Sequence, residues 1–281
     1  MSPVHDQSYR RYQGSRAPVG RAWGIILRTG LRSLLSRKVF IALLIVAWIP
    51  FIVRTVQIYV VTAYPQAGQA LPVNALLFQR FIELQGLFAF FITIYAGAGL
   101  IAADRRARAL QVYLSKPLLR MEYIAGKLGV LMVYLSAVTI LPSVLLIVMQ
   151  IVLSGSFSFV IDNAAIVPAV ILASAMRVIV PAFTMLALSS LSTSARYVAV
   201  MYTGVIFFSE AVYGVLRLAT GSTRVAWVSV TGNFDVVTDA IFQQTARYDT
   251  PVLVSMLVLL ALVAVSMSVL DRQVRGVEVV S

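Results

Sequence analysis

Hydrophobic positions along the chain fall into six long blocks, and polar residues are confined to the gaps between them. The blocks are Val39–Val61, Phe81–Ala103, Ile124–Leu153, Ala164–Leu191, Arg196–Leu216 and Pro251–Leu270. A helix rises about 1.5 Å per residue, so about 20 apolar residues cross a hydrocarbon layer ~30 Å thick. Each block is therefore predicted to be a transmembrane helix, and the third and fourth are long enough to tilt. Pro50, Pro142 and Pro181 lie inside blocks and are expected to kink them. Pro251 follows Asp249-Thr250 and marks a helix start.

Two gaps carry patterns of their own. In Arg21–Lys38 a helical wheel puts Trp23, Leu27, Leu31 and Leu34 on one face, with Arg21, Arg28 and Arg32 roughly opposite. That arrangement predicts an amphipathic helix lying in the membrane interface. Between the fifth and sixth blocks, Arg217–Thr250 holds Trp227, Phe234, Val237, Ile241 and Phe242 as apolar anchors, with helical spacing over Asn233–Ala246. Residues 1–20 are polar and basic, without the apolar core of a signal peptide, and are expected to form a disordered cytoplasmic arm. The expected organisation is one six-span domain over 21–270, with interfacial helix 21–38, a loop at 104–123, an outer segment at 217–250 and a tail at 271–281. No polar stretch reaches the ~50 residues that a soluble domain needs.

Composition agrees with the pattern. Apolar residues make up 60% of the 281 and charged residues 12%, half the ~25% of soluble domains. Mean hydropathy is +0.89. Of the 23 Lys and Arg residues, 17 fall on the side of the termini and the 104–123 loop and four (Arg80, Arg217, Arg224, Arg247) on the other. The positive-inside rule then places both termini and that loop in the cytoplasm, with a bacterial inner membrane as the expected location. The net charge of +12 is thus matched to anionic lipid, not to nucleic acid. The chain has no cysteine and a single histidine, His5, which excludes thiolate chemistry, His/Cys metal centres and a Ser–His pair. Asp162, Asp235, Asp239 and Asp249 show no metal-ligand spacing.

Charges inside spans are costly and point to function. Arg177 and Glu210 each lie about 14 residues, or ~21 Å, from the cytoplasmic ends of adjacent antiparallel spans, so an ion pair between them is predicted. It would fix helix register or provide a polar station on a substrate path. Arg54 and Glu83, near the outer ends of the first two spans, are expected to pair or to snorkel outward.

The basic stretch Asp104–Lys127, DRRARALQVYLSKPLLRMEYIAGK, joins the second and third blocks. Leu110, Tyr113 and Leu114 share one side of a helix that Pro117 interrupts. Leu110, Leu114-Ser115, Pro117, Arg120 and Gly126-Lys127 match the loop after the second span of ABC-2 type exporter permeases, with Asp104 for that family's Glu and Arg108-Ala109 for its Gly-Thr. The chain resembles that family over its whole layout, and the resemblance implies an all-α, six-span, type V exporter-like permease with an interfacial helix. It also implies that the loop, through Leu110, Tyr113, Leu114, Ser115, Lys116, Pro117 and Arg120, seats in a separate ATPase subunit. Two such ATPases would bind ATP and Mg, while this non-catalytic chain binds no cofactor and pairs with a second permease, either another copy of itself as a homodimer or a related chain. The outer segment would form a gate, with an extracytoplasmic accessory protein as a further partner. No GxxxxGK[ST] phosphate loop is present, consistent with ATP being held elsewhere. Two alternatives remain at the level of sequence: an ion- or proton-coupled secondary transporter using Arg177 and Glu210, or a membrane scaffold without transport.

Overall fold

The computed structural model describes residues 22–109 and 119–275, and every regular element among them is helical. Six helices are long and apolar enough to span a membrane: Lys38–Ala63, Ala75–Arg106, Arg120–Ser154, Ile166–Leu191, Ala195–Thr220 and Val252–Val274. They coincide with the six hydrophobic blocks and overrun them where caps extend the helix. Asn74 accepts a hydrogen bond from the Leu77 N–H (3.3 Å) and starts the second span ahead of Phe81. The Glu122 carboxylate accepts from the Leu119 N–H (3.2 Å) at the start of the third. The first span begins, and the second ends, on one side of the bundle, the terminal side.

The prolines act unequally. The first span breaks at Trp48 and resumes as Ile49–Ala63, with Pro50 in its opening turn, where a missing N–H costs nothing. The third breaks at Thr139, just before Pro142. The fourth runs unbroken through Pro181.

Spans two, three and four form the core, with 44%, 56% and 50% of their apolar windows buried, against 17% for each of the other three. The second span is not a uniform helix. Thr93–Gly97 is a π turn, and the chain re-forms an α-helix only at Ala102–Arg106. Ser189 of the fourth span repairs the interrupted ladder: its hydroxyl donates to the Ala98 carbonyl (3.0 Å) and accepts from the Ile101 and Ala102 N–H groups (3.1 Å each). Gly97 sits at the closest approach, where a Cβ would collide with Met185 Cγ.

The amphipathic helix forms over Ala22–Leu35. Leu34 is buried and Leu27 and Leu31 pack against the core, whereas Arg28 and Arg32 are exposed. Trp23 departs from the expected face and is 48% exposed. This helix lies against the third span: Gly126 faces Ile26 so closely that a Cβ would stand 2.8 Å from it, and the Tyr134 hydroxyl donates to the Leu31 carbonyl (2.6 Å).

Beyond the fifth span, Gly221 takes the left-handed conformation (φ 64°) and turns the chain into a 3-10 helix, Thr223–Val228, and then into a helix over Val230–Ile241. That helix begins and ends before the Asn233–Ala246 register expected from spacing. Ser229 caps its start by accepting from the Gly232 N–H (2.8 Å), and Gln243, at φ 53°, prevents its continuation.

Candidate functional site

Two sites in the folded chain gather the charged residues that the sequence places in or beside the spans. The first lies inside the bundle, toward the side opposite the termini. Arg177, only 8% exposed, directs Nη2 to Asp235 Oδ1 at 3.5 Å, and its guanidinium lies 5.3 Å from the centre of the Phe234 ring. Gly86 makes room for it, since a Cβ there would stand 2.8 Å from Arg177 Nη1. Glu210 instead accepts a short hydrogen bond from the hydroxyl of Ser229. The Arg177–Glu210 ion pair expected from depth is therefore replaced by two separate contacts with the Val230–Ile241 segment. Counting residues along a helix gives depth and leaves open which neighbour a side chain faces. The start of Val230–Ile241 is held deep by the Ser209 hydroxyl, which accepts from the Val230 N–H (3.2 Å). Asn233 donates to the Trp227 and Ser229 carbonyls (2.7 Å each). Non-spanning backbone at this depth is tolerated where protein satisfies its polar groups in this way.

Arg247, in the loop after that helix, ties the cluster together. Its Nη2 lies 2.6 Å from Glu83 Oε1 and 2.7 Å from Asp239 Oδ1, and its Nε 3.0 Å from Asp239 Oδ2. Gln79 of the second span donates to the same Asp239 carboxylate at 2.6 Å. Glu83 thus finds Arg247, while Arg54, its expected partner, bonds to Gln57 at 2.6 Å. Burial pushes the Asp235 carboxyl up to about 6 against the pull of Arg177 and Arg247. Burial also works against the Arg247 charge, but its bonds to Asp239, Asp235 and Glu83 outweigh that and hold its pKa above the usual range. Sequence reasoning assigned Asp235, Asp239 and Arg247 only to the outer side. The available signal was the spacing of Asp235 and Asp239, one helical turn apart on a face shared with apolar positions.

A cavity of about 480 Å³ opens beside this cluster, lined by Glu83, Gly86, Arg177 and Glu210 and by Phe90, Phe91, Tyr202, Phe207 and Phe234, among others. The helix directions grade it. Glu83, Arg177 and Glu210 lie farther from the terminal side than Phe90, Pro181 and Tyr202 on the same three spans. Phe90 stacks on Tyr202 (5.7 Å between centroids) and meets Phe207 edge-on (6.0 Å).

The second site is at the terminal side. Asp104 accepts from the Tyr123 hydroxyl at 2.8 Å and pairs with Lys127 Nζ at 2.7 Å. The end of the second span is thereby bonded to the start of the third. Arg105 adds a bond to Gln273 of the last helix (3.2 Å), and Arg106 one to the Thr193 carbonyl (3.1 Å). Arg120 begins the third span and is half-buried. Leu110, Tyr113, Leu114, Ser115, Lys116 and Pro117 lie outside the described residues. Arg108 has a left-handed backbone, φ 54°, a conformation that favours glycine. No protein-family model and no curated protein sequence matches the chain.

Proposed function

We propose that this chain is the transmembrane permease subunit of an ATP-binding cassette exporter of the ABC-2 type. The observation that supports it most directly is the Asp104–Tyr123–Lys127 clamp, which fastens together the two ends of the basic 104–123 loop. These bonds couple the end of span two to the start of span three, so a push delivered there would move the two spans together. In this reading the loop and both termini face the cytoplasm of a bacterial cell, and Leu114, Pro117 and Arg120 contact a separate ATPase. Two ATPases would close on ATP and Mg and displace the loops of two permease copies. The second span, which carries Asp104 at one end and Glu83, Gly86 and Phe90 beside the cavity, would pass that displacement to the cavity wall. The left-handed Arg108 is consistent with the resemblance, because it stands where the related loops carry glycine.

Tagged purification in mild detergent, followed by mass spectrometry and an ATPase assay, tests the proposal. A stoichiometric P-loop ATPase that is lost on substitution of Leu114, Pro117 and Arg120 is the expected result. Recovery of the chain alone, without nucleotide hydrolysis, overturns it. A proton-coupled carrier is the second reading, favoured by an Asp235 carboxyl near 6 in contact with Arg177. Uptake into vesicles driven by a pH step without ATP, and abolished by Asp235→Asn, would establish that reading instead.

A further inference from the structure

We infer that the cavity among spans two, four and five is a binding site for amphipathic organic cations. As the cargo of the proposed permease such cations rest on that reading, but binding itself does not.

The charge balance carries the argument. Arg177 and Arg247 are the basic side chains of a cluster that holds the carboxylates of Glu83, Asp235 and Asp239, and a fourth carboxylate, that of Glu210, lines the same cavity. Arg177 is already engaged, with Nη2 toward Asp235 and its guanidinium beside the Phe234 ring. Arg247 is shared between Glu83 and Asp239. Glu210 is left with a neutral partner, the Ser229 hydroxyl, and no basic side chain among the described residues comes within salt-bridge distance of it. The N-terminus of the Val230–Ile241 helix offers it only a partial positive charge. Yet Glu210 is exposed, well inside a helix of bilayer-spanning length, where a bare carboxylate against lipid is unfavourable. A cation in the cavity supplies the missing charge.

The walls select the rest of the ligand. Phe90, Tyr202, Phe207 and Phe234 present ring faces and edges, and rings attract cations through their negative faces as well as packing apolar bodies. The volume suits a drug-sized molecule. The grading of charges toward one side and rings toward the other fits a cationic head with an apolar body.

Equilibrium binding to the purified full chain in lipid nanodiscs tests the site with two probes of one shape and opposite charge, tetraphenylphosphonium and tetraphenylborate. The cation is expected to bind saturably and at least about tenfold more tightly than the anion, a difference lost in Glu210→Gln. Phe207→Ala, which alters an exposed ring and leaves the ion pairs intact, should weaken both the cation and a neutral analogue. Equal binding of the two ions, or unchanged cation affinity in Glu210→Gln, overturns the assignment. Cation binding by a chain that brings down no ATPase would sink the permease and keep the site. Copurified ATPase without cation binding would do the reverse.

Discussion

Removing Arg247 should loosen the side of the bundle opposite the termini, and the size of the effect follows from what it leaves behind. The Asp239 side chain is 3% exposed and would keep only the Gln79 amide and a backbone N–H as donors. Stripping one partner from a buried pair costs about 3–5 kcal/mol, because the remaining charge is uncompensated. Arg247 itself is 40% exposed, so water already screens part of the interaction, and about 2–3 kcal/mol is the better figure. At roughly 2–4 °C per kcal/mol for chains of this order of size, Arg247→Met should lower the melting temperature by about 5 °C or more. Tryptophan fluorescence in detergent reads the transition, and a cycle with Asp239→Asn isolates the pair. Residues in one such network couple by about 0.5–3 kcal/mol. A shift below about 1 °C for Arg247→Met, or strict additivity in the double variant, would refute the idea that this arginine holds the cluster together.

Three further outcomes are expected. Gly126→Val drives side-chain atoms into Ile26, costs about 1–3 kcal/mol by overpacking, and should lift the Ala22–Leu35 helix off the third span. Faster maleimide labelling of a cysteine placed at Ile26 would report it, against a background of no native cysteine. Arg108→Gly relieves a left-handed backbone and should stabilise the protein by about 0.5–1 kcal/mol, read as a raised melting temperature. The Asp235 carboxyl, raised from 3.8 to about 6, binds its proton more tightly in the fold than in the unfolded chain. Its contribution to stability is therefore full below about pH 4 and is lost as pH rises through about 6, so Asp235→Asn should flatten the melting-temperature profile across that window.

The six spans were legible because their signal is long and one-dimensional: bilayer crossing needs a run of apolar residues, and length and composition are written in order along the chain. The amphipathic helix was legible for a similar reason, since Leu27, Leu31 and Leu34 mark a stripe at helical period. Partners were not. Arg177 was recognised as a buried cation needing an acid, yet the acid is Asp235, which enters from a segment outside the spans. Its approach depends on Ser229, Ser209 and Asn233 satisfying the backbone of the Val230–Ile241 helix, a three-dimensional condition that periodicity does not encode. The π turn at Thr93–Gly97 was equally silent, because it depends on Ser189, a residue two spans further along the chain, to repair the broken ladder.

That π turn also fixes the angular phase of the second span. A π turn is an α-helix carrying a surplus residue, and removing one residue between Thr93 and Gly97 would restore the ordinary ladder. Kept at its present length but wound as plain α-helix, the span would carry everything beyond this turn round by about 100° and along by about 1.5 Å. Asp104 would swing away from Tyr123 and Lys127, while Glu83, Gly86 and Phe90, on the other side of the turn, would stay where they are. The extra residue therefore works like the keyway on a shaft: it sets the angle at which the clamp end and the cavity end of one rod are locked to each other.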